Sequence, residues 1–491
     1  MQLLYHYTWI RCPILYGGIE KVMIDKYRIV ALCMSKVYLK ENHELIEALS
    51  ELLKQNDGRL FVYCTNTDFV WDTPERAGEK LVFDYIPYDR LDAIIIHEEG
   101  FKTKDFISGI VNSAKQYDIP VVVIGEAIKG CMQIRFDYAA GFEKIVRHVL
   151  MRHRVKQPHF MGGMPDNPFS IERERVFAEV LTERGYMFDK SKMVSYGEFW
   201  EAPTIDAMNE IFKRRVKPDA IFCGNDKMAM TVVSVLAKHG YNVPDDVIVT
   251  GFDGIEDIYY SNPQITSCKC DSAAMAEGIV DYLMEYFDGT SLPEKVMIEP
   301  TLIKAESCGC GEHIKANPAE RINTLETRVN TLLEREAAFQ SIYRLIEGNA
   351  NIGESVSYVA QQYLHNVKVL VSDKYIGRAH NPMMVYAAEK HDDFKLIFDS
   401  DSIDSSISDF DIDEMIPNLE AILEKGGPVF FTGINRYEEL LGLVAFCPDE
   451  AKRDYLFLIP QITMVWENVV TEYMRKNYYS HSTDGKCDCN V

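Results

Sequence analysis

Residues 29–310 alternate short apolar runs with amphipathic stretches, and this alternation limits the fold more than any other feature of the chain. The apolar runs include RIVALCMS, RLFVYCTN, LDAIIIHEE, IPVVVIGE and DVIVTGFD. Nearly continuous apolar strands joined by helices are typical of parallel sheets that are covered on both faces. So long a pattern suits two lobes better than one small sheet. We therefore predict an α/β fold in which a ligand binds in a cleft between two lobes, beyond the carboxyl ends of the strands.

A different pattern begins at Pro318, where one long helix is predicted. Its apolar residues fall on the a and d positions of successive heptads, with Glu336 as the polar exception: Ile322, Leu325, Val329, Leu332, Phe339, Tyr343 and Ile346. This spacing predicts a coiled-coil linker over 318–348 and a parallel homodimer. A helix that packs on its own domain is the alternative.

The segment 350–476 predicts a smaller α+β domain, and 477–491 is a tail. Its candidate strands are VKVLVSD, MMVYAAE, FKLIFDSD, PVFFTGI and ELLGLVAFCP, and a final helix runs through Trp466. The acidic stretch DSDSIDSSISDFDIDE lacks the glycine and the closing glutamate of a calcium-binding EF-hand loop. It is interpreted as a solvated loop.

The charge balance bears on the partners of the chain. Acidic residues outnumber basic ones 75 to 52, which gives a net charge of -23. Such a chain opposes approach to nucleic acid. The sequence shows neither a secretory signal nor an apolar run of about 18 residues, so a cytoplasmic location without membrane contact is expected. Residues 1–28 form an N-terminal extension, in which Met23 is the expected translation start.

The twelve cysteines are expected to be mostly free, buried thiols. Three pairs have Cys-x-Cys spacing: Cys268/Cys270, Cys308/Cys310 and Cys487/Cys489. This spacing is a weak zinc signal, so no metal is predicted. A thiolate site that Cys308 and Cys310 share with a partner subunit is the alternative, and His148 and His153 are interpreted as an exposed helix end.

Catalytic motifs are absent from the sequence. It contains no Gly-x-Ser-x-Gly, no Walker A loop and no His-Glu-x-x-His. We therefore expect neither an enzyme nor a cofactor.

The stretch KPDAIFCGNDKMAMTVVSVLAKHGYNVPDDVIVTGFDGIEDI resembles the sensor domain of the LacI/GalR family. It has the family's Asn-Asp-x-Met-Ala, Gly-x-x-Val-Pro-x-Asp-Val and Gly-Phe-Asp in order. IRFDYAAGFEKIVRHVL and NPFSIERERVFAEVLTERGY resemble upstream parts of the same domain, so the resemblance covers 29–311. It implies a periplasmic-binding-protein-like fold, a small sugar-like effector and a role in transcriptional regulation.

The resemblance also implies the ligand-binding residues: Asp137, Arg173, Phe199, Asn225 and Asp253. Carboxylate and amide acceptors with a guanidinium donor suit a polyhydroxylated solute, and an aromatic ring can stack on a sugar face. Asp226 is interpreted as a cap of the following helix.

The N-terminus departs from the family pattern. Residues 1–28 do not resemble the family's helix-turn-helix head, so this chain alone is not expected to bind DNA. The layout instead resembles a branch without that head, in which a coiled coil and a GAF-like domain follow the sensor and a diguanylate cyclase domain often ends the chain. No Gly-Gly-Asp-Glu-Phe stretch is present.

Two functions therefore stay open. The first is a ligand-responsive regulator of transcription that acts through a partner. The second is the sensory part of a signalling protein whose output domain is missing or separate. A helix-turn-helix or cyclase reading frame beside the gene would distinguish them.

Overall fold

The computed structural model describes residues 26–311, except 68–73, 102–103 and 292, and parts of the chain after 311. The later parts are helical residues between 319 and 340, residues 367–448 without 374, 376–393, 400–407, 412–413 and 437, and helical residues between 463 and 474. The chain divides into two compact units: a first unit of 1–124 with 338–491, and a second unit of 125–337.

The first unit begins with alternating strands and helices. These are β1 Arg28–Ser35, α1 Lys40–Gln55, β2 Gly58–Thr65, β3 Ala93–His97, α2 Lys104–Gln116 and β4 Val121–Ile124. Three 3-10 helices lie between them, at Pro74–Tyr85, Tyr88–Arg90 and Glu98–Gly100. The strands pair in parallel, and nearly all their side chains are buried. This confirms the prediction of a parallel sheet covered on both faces.

The C-terminal strands of the first unit continue the same sheet. They are β13 Val367–Ser372, β14 Phe394–Asp399, β15 Ser408–Phe410, β16 Val429–Arg436 and β17 Glu439–Phe446, with helix α9 Leu419–Lys425 before β16. They pair antiparallel with one another, and β16 also pairs in parallel with β2. The order is β4-β3-β1-β2-β16-β17-β13-β14-β15.

The predicted strands of 350–476 are thus present wherever that segment is described; MMVYAAE lies outside the described residues. Their union with β2, reinforced by stacking of Tyr63 on Phe431, was not expected from the sequence. The boundary of a separate domain stays a prediction.

The second unit holds the following elements: β5 Met132–Phe136, α3 Tyr138–Arg152, β6 Pro158–Gly162, α4 Pro168–Glu183, α5 Lys190–Met193, β7 Val194–Tyr196, α6 Glu201–Lys213, β8 Ala220–Cys223, α7 Asp226–Lys238, β9 Ile248–Thr250, β10 Ser267–Lys269, α8 Ser272–Phe287, β11 Lys295–Ile298 and β12 Thr301–Ile303. Two more 3-10 helices are Glu256–Tyr259 and Glu306–Cys308. The central sheet is parallel, in the order β7-β6-β8-β9. β5 pairs in parallel with β11, and β10 pairs antiparallel with β12.

Helices cover both faces of this central sheet. Successive strand residues point to opposite faces, so Phe160 packs with Phe142 of α3 and Phe177 of α4, whereas Met161 packs in the cluster of Met208 from α6. This burial on both faces explains why the strands are largely apolar.

The predicted coiled coil lies partly outside the described residues. Between 319 and 340 the described residues are helical. Ile322, Leu325 and Val329 are exposed there, at 55%, 43% and 52%. Leu332, Phe339, Tyr343 and Ile346 are outside the described residues. Among the helices that can be described, none is long and apolar enough to cross a membrane.

Candidate functional site

The predicted ligand-binding residues all belong to the second unit and follow the ends of its strands. Asp137 comes directly after β5, Phe199 follows β7, Asn225 follows β8 and Asp253 follows β9. Because β7, β8 and β9 belong to one parallel sheet, their carboxyl ends lie at the same edge. Arg173 instead comes from helix α4, which follows β6.

Arg173 is a buried arginine held between aromatic rings. The residue is only 5% exposed. Its guanidinium carbon lies 4.2 Å from the ring centre of Phe252 and 5.6 Å from that of Tyr138, distances typical of cation–π contacts. Within the part of the chain that the structure describes, the Nε of Arg173 is buried without a hydrogen-bond acceptor. A buried charge with an unused donor is costly.

Asp253 faces this guanidinium. Its Oδ1 lies 3.7 Å from Nη2 of Arg173, close enough for an ion pair but longer than a hydrogen bond. The Asp253 side chain is 43% exposed. Its backbone has a φ of +101°, which aspartate rarely adopts and which often marks a functional site. Backbone hydrogen bonds to Cys268 and Cys270, both of 3.1 Å, hold it in this conformation.

Asp226 holds the turn that contains Asp253 through hydrogen bonds. It is 1% exposed, and its carboxylate accepts hydrogen bonds from the N–H groups of Gly254 and Ile255 at 2.7 and 2.9 Å. The hydroxyl of Ser267 donates to it at 2.6 Å. Burial and the nearby charge of Asp253 raise the pKa of Asp226 well above its usual value.

The interpretation of Asp226 as a helix cap is therefore wrong. The N-cap of α7 is Asn225, whose side-chain oxygen accepts from the Met228 N–H at 2.9 Å. Asp226 is the first helical residue, and its carboxylate bonds the turn after β9 instead.

Asn225 and Phe199 form a second pair. The amide of Asn225 donates to the Phe199 carbonyl at 3.4 Å, so both polar groups of this side chain are engaged within the chain. Phe199 has a φ of +65°, and its ring covers Gly163 so closely that a Cβ there would lie 2.0 Å from it. Gly163 thus makes room for the ring at this edge of the sheet.

Asp137 is the N-cap of α3. Its Oδ1 accepts from the Ala140 N–H at 2.9 Å, and its own N–H donates to the Ile298 carbonyl at 2.8 Å. Its link to Arg173 is the adjacent Tyr138. The structure thus pairs Arg173 with Asp253 and Phe199 with Asn225, and it joins Asp137 to the first pair through a ring.

Sequence reasoning missed Tyr138 and Phe252 in this region, and it named Asp226 only as a helix cap. Tyr138 and Phe252 directly adjoin the predicted Asp137 and Asp253. An aromatic next to a predicted ligand residue was an available signal, since an aromatic ring can hold a guanidinium by a cation–π contact. The contacts of Asp226 carried no comparable signal.

A family model provides the first comparison with known proteins. Residues 147–308 match the periplasmic binding protein-like domain. This range includes Arg173, Phe199, Asn225 and Asp253. It supports the predicted mixed α/β fold with parallel sheets.

Relatives of known function provide the second comparison with known proteins. The chain is 22% identical over 300 residues to the HTH-type transcriptional regulator MalR of Clostridium butyricum, covering 55% of this chain and 88% of MalR. It is 25% identical to the regulator AscG of Escherichia coli K12 over 47% of this chain and 67% of AscG. It is 30% identical to the regulator CelR of Thermobifida fusca over 30% of this chain and 43% of CelR.

Solved structures give similar matches. The crystal structure of the E. coli repressor AscG is 23% identical, covers 57% of this chain and 98% of AscG, and has a TM-score of 0.47. A CelR–cellobiose complex is 21% identical over 59% of this chain and 88% of that one, with a TM-score of 0.46. The sequence relatives are transcriptional regulators of the LacI/GalR kind and not enzymes, which confirms the predicted function class, a ligand-responsive regulator.

Proposed function

We propose that the second unit binds a small polyhydroxylated effector at the surface formed by Arg173, Asp253, Asp137, Asn225 and Phe199, and that binding regulates transcription. The observation that carries this proposal is the environment of the Arg173 side chain. Its guanidinium is buried at 5% exposure, is held by two rings, and has a buried Nε without an acceptor among the described residues. A solute hydroxyl or ring oxygen would supply that acceptor.

The remaining residues define the solute further. Asp253 offers a half-exposed carboxylate, which accepts hydrogen bonds from hydroxyl groups. Phe199 offers an apolar ring over Gly163, suited to the C–H face of a sugar. A site with one cation, carboxylates and a ring favours a neutral sugar or sugar derivative over a strongly anionic solute.

A screen of mono- and disaccharides by thermal unfolding of the full chain tests this proposal. A ligand that binds only the folded state stabilises it by about 2.7 kcal/mol at a hundredfold excess over its Kd. We expect at least one sugar to raise the melting temperature in a concentration-dependent way. If every sugar leaves the transition unchanged while a solute without hydroxyls shifts it, the effector class is wrong.

The helical residues described between 319 and 340 support dimerisation through a coiled coil. The exposed Ile322, Leu325 and Val329 lie on the predicted a and d positions, where an apolar side chain without cover is unfavourable. The antiparallel strands β13 to β17 agree with a GAF-like α+β unit after this linker. We propose that the linker joins two copies of the chain in parallel.

Leu325→Asp with Val329→Asp is expected to shift the chain from dimer to monomer in sedimentation velocity, because paired charges would be buried in the seam. Asn323→Asp with Asn330→Asp adds the same two charges on the exposed flank and should leave the dimer intact. An unchanged dimer in the double variant would show that another surface holds the copies together.

A further inference from the structure

Two histidines and two cysteines converge on one point of the second unit. His148 lies in the last turn of α3, and His153 is the C-cap residue of that helix. Cys308 ends the 3-10 helix Glu306–Cys308, and Cys310 follows two residues later. Gly309 between them has a φ of +75°, a left-handed conformation that glycine adopts without strain.

The distances between these side chains are short. The Sγ of Cys308 lies 3.5 Å from the Nε2 of His148, and the Sγ of Cys310 lies 3.1 Å from the Nε2 of His153. One ligand atom from each of the four residues lies within 4.8 Å of all the others. Two separate thiol–imidazole hydrogen bonds would account for the two short distances, but not for the convergence of both pairs.

The geometry fits a small tetrahedral ion. Zinc binds cysteine sulfur at about 2.3 Å and histidine nitrogen at about 2.0–2.1 Å, so the edges of its tetrahedron measure roughly 3.3–3.8 Å. The two observed distances are near that range. The widest separation among the four ligand atoms must shorten by about 1 Å for all of them to bind one ion. His-x4-His also falls within the usual zinc spacing, although Cys-x-Cys is shorter than usual.

We propose that His148, His153, Cys308 and Cys310 bind one divalent transition metal ion of the zinc type. Two thiolates and two neutral imidazoles make a Cys2His2 set, and four protein ligands leave no open position for catalysis. The site is therefore structural. It is independent of the effector proposal, since none of its residues contacts Arg173 or Asp253 in the contacts described above.

The position of this metal site suggests what it stabilises. It joins the C-terminal end of α3 to the 3-10 helix Glu306–Cys308 and the residues just after it. Asp137 caps the other end of the same helix, which is 15 residues long, so the ends are about 22 Å apart. The metal would hold the C-terminal end of α3 and the residues after the 3-10 helix Glu306–Cys308 in one arrangement.

The test uses the full chain without a polyhistidine tag, stripped of metal with a chelator under reducing conditions. Titration with Zn2+ against a chromophoric competitor is expected to show one high-affinity ion per chain. Co2+ should give the thiolate charge-transfer band and the intense visible bands of tetrahedral coordination. Zn2+ should also raise the melting temperature, because an ion that binds only the folded state adds its binding free energy to the stability of that state.

Single-ligand variants locate the ion. Cys310→Ser and His153→Asn, both at residues that are not deeply buried, should each weaken Zn2+ binding more than about a hundredfold, since even losing a partner of a ligand costs about ten- to a hundredfold. Cys131→Ser and His239→Asn change the same residue types elsewhere and should bind as wild type. So should the double variant Cys487→Ser, Cys489→Ser.

Three results would overturn the proposal. The first is no tight Zn2+ or Co2+ binding by the folded, reduced chain. The second is undiminished binding in Cys310→Ser and His153→Asn. The third is protection of Cys308 and Cys310 from alkylation that a reductant abolishes and a chelator does not, because that pattern means a disulfide.

Discussion

Replacing Arg173 with methionine is expected to weaken effector binding about a hundredfold while the second unit stays folded. Methionine keeps the apolar volume between Phe252 and Tyr138 but removes the guanidinium. It also removes the buried Nε that lacks an acceptor among the described residues, so the unliganded melting temperature should not fall far. Loss of two charge-assisted hydrogen bonds at about 1.5 kcal/mol each weakens binding about a hundredfold.

Arg175→Met is the matched control for this variant. Arg175 lies on the same helix two residues away, is exposed, and pairs with Glu179 one turn later. Its loss should leave the affinity within about twofold, because exposed ion pairs contribute little. Isothermal titration calorimetry with the sugar that gives the largest shift in the screen measures the affinity of both variants. If Arg173→Met binds the sugar with wild-type affinity and unfolds normally, Arg173 does not belong to the binding site.

The parallel sheets were the most predictable part of the fold. A strand such as β3, with Ala93, Ile94, Ile95 and Ile96 all buried, can be apolar throughout only if both faces are covered. The pattern therefore identifies such strands without knowledge of their neighbours. It does not identify their partners, which is why the parallel pairing of β16 with β2 was not predicted.

The candidate site was predictable in part. Arg173 and Asp253 are far apart in the chain, and the resemblance to a known domain named both before the structure showed them 3.7 Å apart. Local sequence did not identify which of Asn225 and Asp226 caps α7, since asparagine and aspartate are almost equally good N-caps. Which of them caps α7 depends on the turn after β9, a contact that local sequence does not encode.

The histidine–cysteine cluster shows the same limit more strongly. His148 and His153 come from the C-terminal end of α3, whereas Cys308 and Cys310 come from the 3-10 helix Glu306–Cys308 and the residues just after it. Each pair alone is ordinary: the histidines resemble a helix end, and Cys-x-Cys is a poor zinc spacing. Only tertiary structure brings the two pairs together, so the sequence favoured no metal here.

Asp226→Ala is expected to cause the largest loss of stability among the substitutions proposed. The carboxylate holds the Gly254 and Ile255 N–H groups and the Ser267 hydroxyl, all at a buried site. Each buried group left without a partner costs about 1–3 kcal/mol. A total of about 3 kcal/mol should lower the melting temperature of the second unit by about 6–12 °C. Differential scanning calorimetry measures the transition.

Asp226→Asn separates the hydrogen bonds of this carboxyl from its charge. The amide oxygen can still accept from Gly254 and Ile255, and the amide N–H can donate to Ser267. The folded chain raises the pKa of Asp226 above its unfolded value, so between the two values the folded state binds more protons. The stabilisation from this proton is complete below the unfolded pKa, about 4, and is lost as pH rises through the folded pKa.

Wild type should therefore lose stability relative to Asp226→Asn as pH rises from about 4, and the alanine variant should be the least stable of the three near neutral pH. Denaturant unfolding of all three proteins over this pH range measures the differences. The opposite slope, with wild type gaining on Asp226→Asn as pH rises, would mean that the hydrogen bonds from Gly254, Ile255 and Ser267 outweigh burial and hold Asp226 ionised. Asp226 would then be a buried anion within the turn that presents Asp253.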